Sequence, residues 1–310
     1  MSIPLAVAIM GPTASGKTAV ALDIARRIPS EIISVDSALV YRGMDIGTAK
    51  PSRSAQESVP HHLIDVIDPT NAYSAALFRE NALRLVHEIT ARNRLPLLVG
   101  GTMMYFRALY DGLDALPPAN SAIRARLDDE CRVHGTPYLH KRLMNVDPVT
   151  AGRLKPTDTQ RIQRALEVAE LSGTPLSSLH TRKKNRLPFA FLKVALEPAD
   201  RHLLHQRIAD RFMSMLENDA LVNEVRQLRV QYPLHPELPS MRCVGYRQVW
   251  QHLDGEYGRD TLYEKGIAAT RQLAKRQLTW LRAMPDRVVI NCLATDAATQ
   301  VLERIRTWSG

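Results

Sequence analysis

The most constraining feature of the sequence is the octapeptide at residues 11–18, which reads Gly-Pro-Thr-Ala-Ser-Gly-Lys-Thr and fits the pattern G-x-x-x-x-G-K-[ST]. The glycines of this pattern let backbone amides wrap around a phosphate, the lysine reaches the outer phosphates, and the hydroxyl can ligate Mg²⁺. An apolar run at Leu5–Met10 predicts a buried strand before the octapeptide, and Lys17–Ile28 predicts an amphipathic helix after it. Backbone dipoles favour an anion in a loop between a strand and the N-terminus of a helix. We therefore predict a P-loop that binds a di- or triphosphate.

All eight residues of the loop are candidates for the diphosphate site. Lys17 is also a candidate catalytic cation, and the hydroxyl of Thr18 is the candidate ligand of Mg²⁺. The site consists of Gly11, Pro12, Thr13, Ala14, Ser15, Gly16, Lys17 and Thr18.

Composition limits the class of protein. A chain of 310 residues with 45% hydrophobic and 24% charged residues is ordinary for one large folded domain or two unequal ones. No apolar run approaches the roughly 20 residues of a membrane span, and the first predicted strand begins too early for a signal or transit peptide. Cys131, Cys243 and Cys292 are far apart and in no metal-ligand spacing, so reduced thiols are expected. We expect a cytoplasmic monomer without membrane contact.

The charge balance indicates a polyanionic partner. The formal net charge of +9 is unusual for an enzyme of small metabolites. The alternative is a merely basic surface, because composition does not show whether the charges cluster.

A carboxylate follows the second predicted strand, Glu31–Val35, and is the candidate catalytic base. Asp36 and Ser37 come at the end of this strand, and polar residues at strand ends in an α/β sheet lie at the crevice where ligands bind. The alternative for Asp36 is a carboxylate that only caps a turn or helix. The next segment, 41–50, is too glycine-rich and polar for a core element and predicts a loop near the phosphates.

A third strand at Leu95–Val99 is followed by Gly100, Gly101 and Thr102 rather than by the aspartate of a Walker B motif. An ATPase of the usual kind needs that aspartate for Mg²⁺, so the metal is expected on Thr18 and water. The amphipathic segment Ser74–Arg92 between the strands predicts a helix. Apolar strands that alternate with helices predict an α/β fold, with a parallel sheet covered by helices on both faces.

A proline-rich break at 116–120 begins a different pattern. From Ser121 to Arg186 the sequence is helical and charge-rich, and it ends in the basic stretch 182–186. A strand-like run then resumes at Phe189–Leu196, and Arg287–Leu293 predicts a last strand. We predict an α/β core formed by residues 1–119 and 188–310, with a helical insertion at 120–187.

Three basic segments are candidates for nucleic-acid contact, although each alone is typical of a solvated helix face. In Thr159–Val168 two arginines and a glutamine fall within about one helical turn, and Met241–Trp250 mixes arginines with aromatic residues. In the predicted helix Lys265–Arg282 several cations share a narrow arc. Together with the net charge, these segments favour a nucleic acid as the partner.

Ordered motifs along most of the chain make it similar to one family. The sequence resembles the bacterial tRNA dimethylallyltransferases from Ala8 to about Arg287. The motifs that carry the resemblance lie at 11–18, 36–37, 40–51, 100–105, 158–167, 241–248 and 269–282.

The resemblance implies a P-loop fold with a helical insertion and a defined reaction. Members transfer a dimethylallyl group from dimethylallyl diphosphate to an adenosine beside the anticodon of tRNA, using Mg²⁺. Asp36 would accept the proton of the adenine amine, and Thr102 and Arg124 match positions near the diphosphate and the target nucleotide. The implied tRNA contacts are Asp36, Ser37, Ala38, Leu39, Gln160, Arg161, Ile162, Gln163, Arg164, Met241, Arg242, Cys243, Val244, Gly245, Tyr246, Arg271, Lys275, Arg276 and Arg282. Leu39 departs from the glutamine that is common there.

Two other functions remain open at the level of sequence. The chain would be a small-molecule kinase if ATP occupied the loop and Asp36 served as base for a hydroxyl group. It would be a nucleic-acid-binding P-loop ATPase if ATP were hydrolysed there, although the missing Walker B aspartate argues against hydrolysis.

We expect tRNA binding to weaken steeply as salt is added, because the basic segments neutralise several backbone phosphates. Each such contact contributes roughly −0.9 to the slope of log K against log salt concentration in duplex regions. Fluorescence anisotropy with labelled tRNA over a salt series measures this slope, and a slope near zero would contradict the polyanion interpretation.

Overall fold

The computed structural model describes residues 4–114, 116–179 and 189–308, and the predicted basic stretch at 182–186 lies outside them. Within these ranges the chain forms six β-strands, fourteen α-helices and a 3₁₀ helix at Glu217–Asp219. The strands are β1 (Leu5–Met10), β2 (Ser30–Val35), β3 (His61–His62), β4 (Leu95–Gly100), β5 (Ala190–Glu197) and β6 (Val288–Asn291). The helices are α1 (Lys17–Arg27), α2 (Arg53–Ser58), α3 (Ala75–Ala91), α4 (Met103–Asp111), α5 (Ser121–His134), α6 (Thr136–Val146), α7 (Pro148–Ala151), α8 (Thr159–Ser172), α9 (Leu176–Leu179), α10 (Arg201–Leu216), α11 (Ala220–Gln231), α12 (Tyr246–Leu253), α13 (Arg259–Arg282) and α14 (Ala297–Arg306).

The six strands form one sheet in the order β3-β2-β4-β1-β5-β6, and all neighbouring strands are parallel. β1 lies between β4 and β5, and its residues 6–10 are fully buried. A strand covered on both faces is apolar throughout, as β1 is in the sequence. The predicted parallel α/β sheet is therefore confirmed. Since all strands run the same way, the loops after β1, β2 and β4 meet at one edge of the sheet.

Helices cover both faces of this sheet, and the side chains of β1 alternate between two cores. Val7 belongs to the core that the sheet forms with α1 and α14. Its neighbour Ala8 belongs to the core formed with α3 and α4 on the opposite face. The alternation follows from strand geometry, in which successive side chains point to opposite faces.

A third core lies between the loop after β2 and the C-terminal helices α10–α13. Val40, Tyr41 and Met44 of this loop are buried with Leu221 of α11 and Trp250 of α12. The segment 41–50 is a loop, as the sequence predicts, and its apolar side chains Tyr41 and Met44 are inserted between helices. The loop is thereby anchored beside the edge of the sheet.

The long helix α13 begins at Arg259, earlier than the predicted start at Lys265. Leu262 is buried and extends the stripe of Ile267, but the polar residues around it hide the periodicity in the sequence. Among the described residues, no helix combines the length and apolar character needed to cross a bilayer.

The chain divides into two compact units, one of Met1–Tyr110 with Leu187–Gly310 and the other of Asp111–Arg186. The second unit consists of α5–α9 within its described residues, around a small core of its own. Leu127, Leu139 and Leu166 are fully buried in that core. This unit begins at Asp111, where α4 ends, whereas the predicted insertion begins at residue 120.

Candidate active site

A cavity of about 730 Å³ opens where the loops after β1, β2 and β4 meet. Its lining includes the P-loop, residues 36–39 after β2 and residues 100–104 after β4. The opposite wall comes from α10, α13 and the segments 47–49 and 242–246. The cavity lies wholly within the sheet-containing unit. It is partly apolar, with the side chains of Leu39, Met104, Ile208, Phe212, Met215, Val244, Leu273 and Trp280 in its walls.

The P-loop has the geometry of an anion site. Ala14 and Gly16 adopt left-handed backbone conformations, with φ of 62° and 76°. A Cβ atom at Gly11 would lie 2.7 Å from the hydroxyl of Ser15 and 2.8 Å from the carbonyl of Leu196, so only glycine fits there. No described side chain caps the N-terminus of α1, and its first turn contains no acidic residue. The free amides of that turn and its positive dipole end are therefore available to a phosphate.

Lys17 lines the cavity and is held by its own loop. Its Nζ donates a hydrogen bond of 2.6 Å to the carbonyl of Pro12. Desolvation by burial lowers the pKa of Lys17 to about 8, the Asp36 carboxylate opposes this shift, and the Arg211 guanidinium adds to it. An anion in the cavity would favour the charged lysine and raise its pKa again.

Asp36 and Thr102 lie on adjacent loops and both line the cavity. Asp36 Oδ1 accepts a 2.8 Å hydrogen bond from the amide of Ala38, so one oxygen holds the turn after β2, as the alternative interpretation expects. Thr102 Oγ1 accepts a 3.0 Å hydrogen bond from the amide of Ser37. The strands that carry these loops approach closely, since a Cβ atom at Gly100 would overlap the carbonyl of Val35. The sheet thus fixes the carboxylate and the threonine together beside the P-loop.

Arg211 of α10 is a cavity residue that the sequence prediction missed. Its guanidinium donates a 3.4 Å hydrogen bond to the carbonyl of Thr48. Burial lowers the pKa of Arg211, and the nearby Asp36 opposes that shift. An available signal was its position between the buried residues Ile208 and Phe212, on the inward side of an amphipathic helix. A partly buried cation near Lys17 of the P-loop suits a phosphate ligand.

Gln277 of α13 was also missed, although it lies within a motif of the resemblance. Its Oε1 accepts a 2.8 Å hydrogen bond from the amide of Thr13, and its Nε2 donates a 2.9 Å hydrogen bond to the carbonyl of Gly101. The side chain therefore joins the P-loop, the loop after β4 and the C-terminal helix. A charge-based search of this helix selects the arginines and passes over the amide.

Glu224 of α11 organises the wall formed by the loop after β2. Its carboxylate accepts hydrogen bonds from the amides of Asp45, Ile46 and Gly47, at 3.0, 2.7 and 3.3 Å, and from the hydroxyl of Tyr246 at 2.5 Å. Because four donors share one carboxylate, the loop and the start of α12 are held at a fixed separation.

Most of the predicted tRNA contacts in the sheet-containing unit line the cavity or its surroundings. Burial, with the help of Asp36, raises the pKa of the Cys243 thiol to about 12, which leaves this side chain neutral. The four predicted contacts on α13 are all exposed, and they are Arg271, Lys275, Arg276 and Arg282. The predicted contacts in the cavity lining are Asp36, Ser37, Ala38, Leu39, Arg242, Cys243, Val244, Gly245, Tyr246 and Arg276.

Two of the predicted contacts are buried away from the cavity. The side chains of Met241 and Ile162 are fully buried, with 0% of each residue exposed. Met241 packs in the core of the C-terminal helices, and Ile162 packs in the core of the helical unit. Neither side chain can touch a macromolecule without unfolding its surroundings. The neighbour of Ile162 in α8, Arg161, faces outward because a helix distributes consecutive residues around its axis.

The candidates in the helical unit are arranged around a buried carboxylate. Arg124 donates two hydrogen bonds to Glu167, of 2.8 and 3.1 Å, and Arg164 donates one of 2.6 Å. Burial alone would raise the pKa of Glu167, but these hydrogen bonds bring it below its ordinary value. Gln160 and Arg161 are exposed, while Gln163 donates a 2.6 Å hydrogen bond to Asp128. Arg124 thus has a structural partner in its own unit, and its predicted role at the diphosphate stays a prediction.

The hydroxyl of Thr18 fits one ligand position of a magnesium ion. Thr18 is exposed in the first turn of α1 and lines the cavity. The described residues contain no cluster of three or more His, Cys, Asp or Glu side chains arranged as metal ligands. Magnesium commonly retains several waters and binds substrate phosphates with one or two protein ligands, so a hydroxyl beside a diphosphate site matches its needs.

A second groove of about 430 Å³ adjoins the cavity between α12 and α13. It shares Arg242, Val244 and Arg276 with the cavity and adds Arg247 and Lys265. Four cations and no carboxylate among its lining residues make it suited to a polyanionic chain.

The chain matches two family models. The model described as IPP transferase matches residues 39–284, and the model described as Isopentenyl transferase matches residues 4–73. Together these matches include the P-loop, the cavity and the helical unit.

Similar proteins and solved structures cover nearly the whole chain. The chain is 63% identical over 303 residues to a tRNA dimethylallyltransferase of Herminiimonas arsenicoxydans, covering 97% of this chain and 95% of that protein. It is 61% identical over 303 residues to a tRNA dimethylallyltransferase of Janthinobacterium sp. (strain Marseille), covering 97% and 96%. The crystal structure of the full-length tRNA isopentenylpyrophosphate transferase of Bacillus halodurans superposes with a TM-score of 0.71 at 33% identity, covering 98% and 96%. A eukaryotic dimethylallyltransferase acting on tRNA has a TM-score of 0.80 at 25% identity, covering 98% of this chain and 78% of that one.

The pKa of Lys17 leads to a prediction about proton uptake. Above pH 8 the lysine of the free protein is largely neutral, and a bound anion raises its pKa, so binding of inorganic diphosphate takes up a proton. Below that pH the lysine is already charged and the uptake disappears. Calorimetry in buffers of different ionisation enthalpy measures the protons exchanged.

The control for this measurement is Lys17→Met, which removes the titrating group and leaves the protonation of diphosphate itself unchanged. We expect the wild type to take up more protons than the variant at about pH 9 and the difference to vanish at about pH 6.5. Equal proton counts for both proteins at the higher pH would place the titrating group elsewhere.

Proposed function

The chain belongs to the IPP transferase family, and from this membership we propose that it transfers the dimethylallyl group of dimethylallyl diphosphate to N6 of an adenosine beside the anticodon of tRNA. One observation carries the proposal: an anion-binding loop, a carboxylate and apolar walls open into a single cavity of about 730 Å³. These are the surroundings that a charged leaving group, an amine proton and a hydrocarbon group require.

The leaving diphosphate is proposed to bind at the P-loop. The amides of Gly16, Lys17 and Thr18 at the start of α1 and the ammonium group of Lys17 would surround its outer oxygens. Arg211 faces the same cavity from α10 and would add a second positive charge. Mg²⁺ on Thr18 and the diphosphate would supply further charge neutralisation as the allylic C–O bond breaks.

The transfer forms one bond and breaks another. The N6 lone pair attacks C1 of the dimethylallyl group, and the C1–O bonding electrons leave with the diphosphate. The amine then loses a proton, and Asp36 is proposed to accept it. The hydrogen bond from the Ala38 amide orients this carboxylate through one oxygen, so the group can act as a base without moving.

The apolar walls protect the reaction from water. A dimethylallyl group that develops positive charge at C1 reacts readily with any water nearby. Met104, Leu273 and Trp280 line the cavity and would surround the hydrocarbon group or the incoming base.

The RNA is proposed to approach over the basic groove beside the cavity. Arg247 and Lys265 lie along this groove, and Arg242 and Arg276 lie where it joins the cavity. An adenine can reach the cavity only if it leaves its base stack, which costs a few kcal/mol and is easiest in a loop. We further propose that the protein acts as a cytoplasmic monomer.

The test of the proposal is product analysis with unmodified tRNA and either dimethylallyl diphosphate or ATP. Mass spectrometry of the digested tRNA should show an adenosine heavier by one dimethylallyl group, and only with the diphosphate donor. A phosphorylated product with ATP would favour a kinase, and release of inorganic phosphate without RNA modification would favour an ATPase.

Asp36→Asn is expected to lower the single-turnover transfer rate by roughly 10²- to 10⁴-fold. The amide keeps the shape of the side chain and its hydrogen bond to the Ala38 amide but cannot accept the proton. Rapid quenching with saturating tRNA and donor measures the rate of the chemical step.

The matched control is Asp68→Asn, which alters an exposed carboxylate paired with Arg42 at 2.8 Å. This variant should keep the wild-type rate, and the affinity for inorganic diphosphate should be nearly unchanged in Asp36→Asn. A wild-type single-turnover rate in Asp36→Asn, with a lowered melting temperature, would reduce Asp36 to the role of a turn cap.

A further inference from the structure

One face of α10 supplies both a charge and an apolar surface to the cavity. Ile208, Phe212 and Met215 recur at helical spacing, and Arg211 lies between them. On this face of α10, the positive charge of Arg211 suits a diphosphate. The adjacent apolar side chains form a surface that suits a hydrocarbon chain. This surface lines the same cavity as the P-loop.

Phe212 is the largest apolar side chain on this face and it cannot retreat. It is 3% exposed and packs in the third core. Behind it lies Gly266, inside the 24-residue helix α13, and a Cβ atom there would overlap the Cζ and Cε1 atoms of the ring. Glycine is among the least favourable residues in a helix interior, so this position indicates a packing requirement. Here the requirement is room for the phenylalanine ring.

The same corner of the cavity contains two more glycines beside aromatic rings. A Cβ atom at Gly47 would lie 2.5 Å from the ring of Tyr246, and Gly245 lines the cavity with φ of 93°. The hydroxyl of Tyr246 is fixed by Glu224, which also holds the amide of Gly47. The rings of Phe212 and Tyr246 pack against glycine backbone and form one end of the cavity, the floor, where they have little freedom to shift.

Building on the proposed function, we propose that Phe212, seated against Gly266, is the floor of the alkyl site and limits the donor to a five-carbon chain. A ten-carbon geranyl chain is longer than a dimethylallyl group by one isoprene unit. The phenylalanine ring occupies the space that this extra unit needs. A smaller or more flexible side chain at this position opens space toward α13, where Gly266 contributes no side chain.

The experiment compares kcat/KM for geranyl diphosphate with kcat/KM for dimethylallyl diphosphate, using the same tRNA. Phe212→Leu should raise this ratio about 10-fold or more, because methylene-sized differences in an apolar pocket change rates by that order. Phe212→Met replaces the ring by a slimmer, flexible chain that fills irregular core gaps, and it should raise the ratio in the same direction. Gly266→Ala should push the ring into the cavity and lower kcat/KM for the dimethylallyl donor without any gain for geranyl diphosphate.

The matched control is Leu216→Val, which trims a buried side chain of the same helix and the same core that does not line the cavity. It should leave the ratio unchanged. An unchanged ratio in folded Phe212→Leu and Phe212→Met overturns the inference. A raised KM for tRNA with an unchanged ratio would also overturn it, because the ring would then contact the target base. If the wild type transfers no dimethylallyl group to tRNA, the proposed function fails instead, which separates the two ideas.

Discussion

The amide of Gln277 ties together the parts on which the rest of the site depends. One end holds the amide of Thr13 in the P-loop, and the other holds the carbonyl of Gly101 after β4. The helix that carries Gln277 also brings Leu273, Arg276 and Trp280 to the cavity. Since both ends of the amide are engaged, this helix and the two loops keep one relative position. A side chain with a single donor or acceptor would fix only one of them.

A second side chain, Glu224, holds the opposite wall of the cavity in place through hydrogen bonds, as Gln277 holds the P-loop. Its carboxylate is buried, and three backbone amides and a phenol satisfy it. Burial, followed by the charge of Glu224, raises the pKa of Tyr246 well above its ordinary value, so the phenol remains a donor throughout the physiological range. A buried carboxylate that loses its donors costs about 3–5 kcal/mol, so this wall is stable as a unit and intolerant of partial change.

The sequence predicts best those features that depend on residues close together in the chain. The P-loop, the parallel strands and Asp36 at a strand end follow from residues within about ten positions of one another. Gln277 and Glu224 accept hydrogen bonds from backbone amides that lie 264 and about 178 residues away in the sequence. No local sequence pattern therefore predicts these partners. The prediction of the two buried contacts, Ile162 and Met241, has another origin. The motifs predict every consecutive residue of 160–164 and 241–246 as a tRNA contact, although Ile162 lies on the buried stripe of its helix.

The strand order has a consequence for the newly made chain on the ribosome. β1 is complete within the first ten residues and pairs with β4 on one side, but its other partner, β5, begins about 90 residues after β4 ends. At roughly 5–20 residues per second, this interval lasts several seconds to about 20 seconds, during which one apolar edge of β1 is open. The chain synthesised meanwhile includes the helical unit, whose core is its own. Early β1, β2 and β4 therefore form an incomplete sheet whose most aggregation-prone edge is closed only by late synthesis.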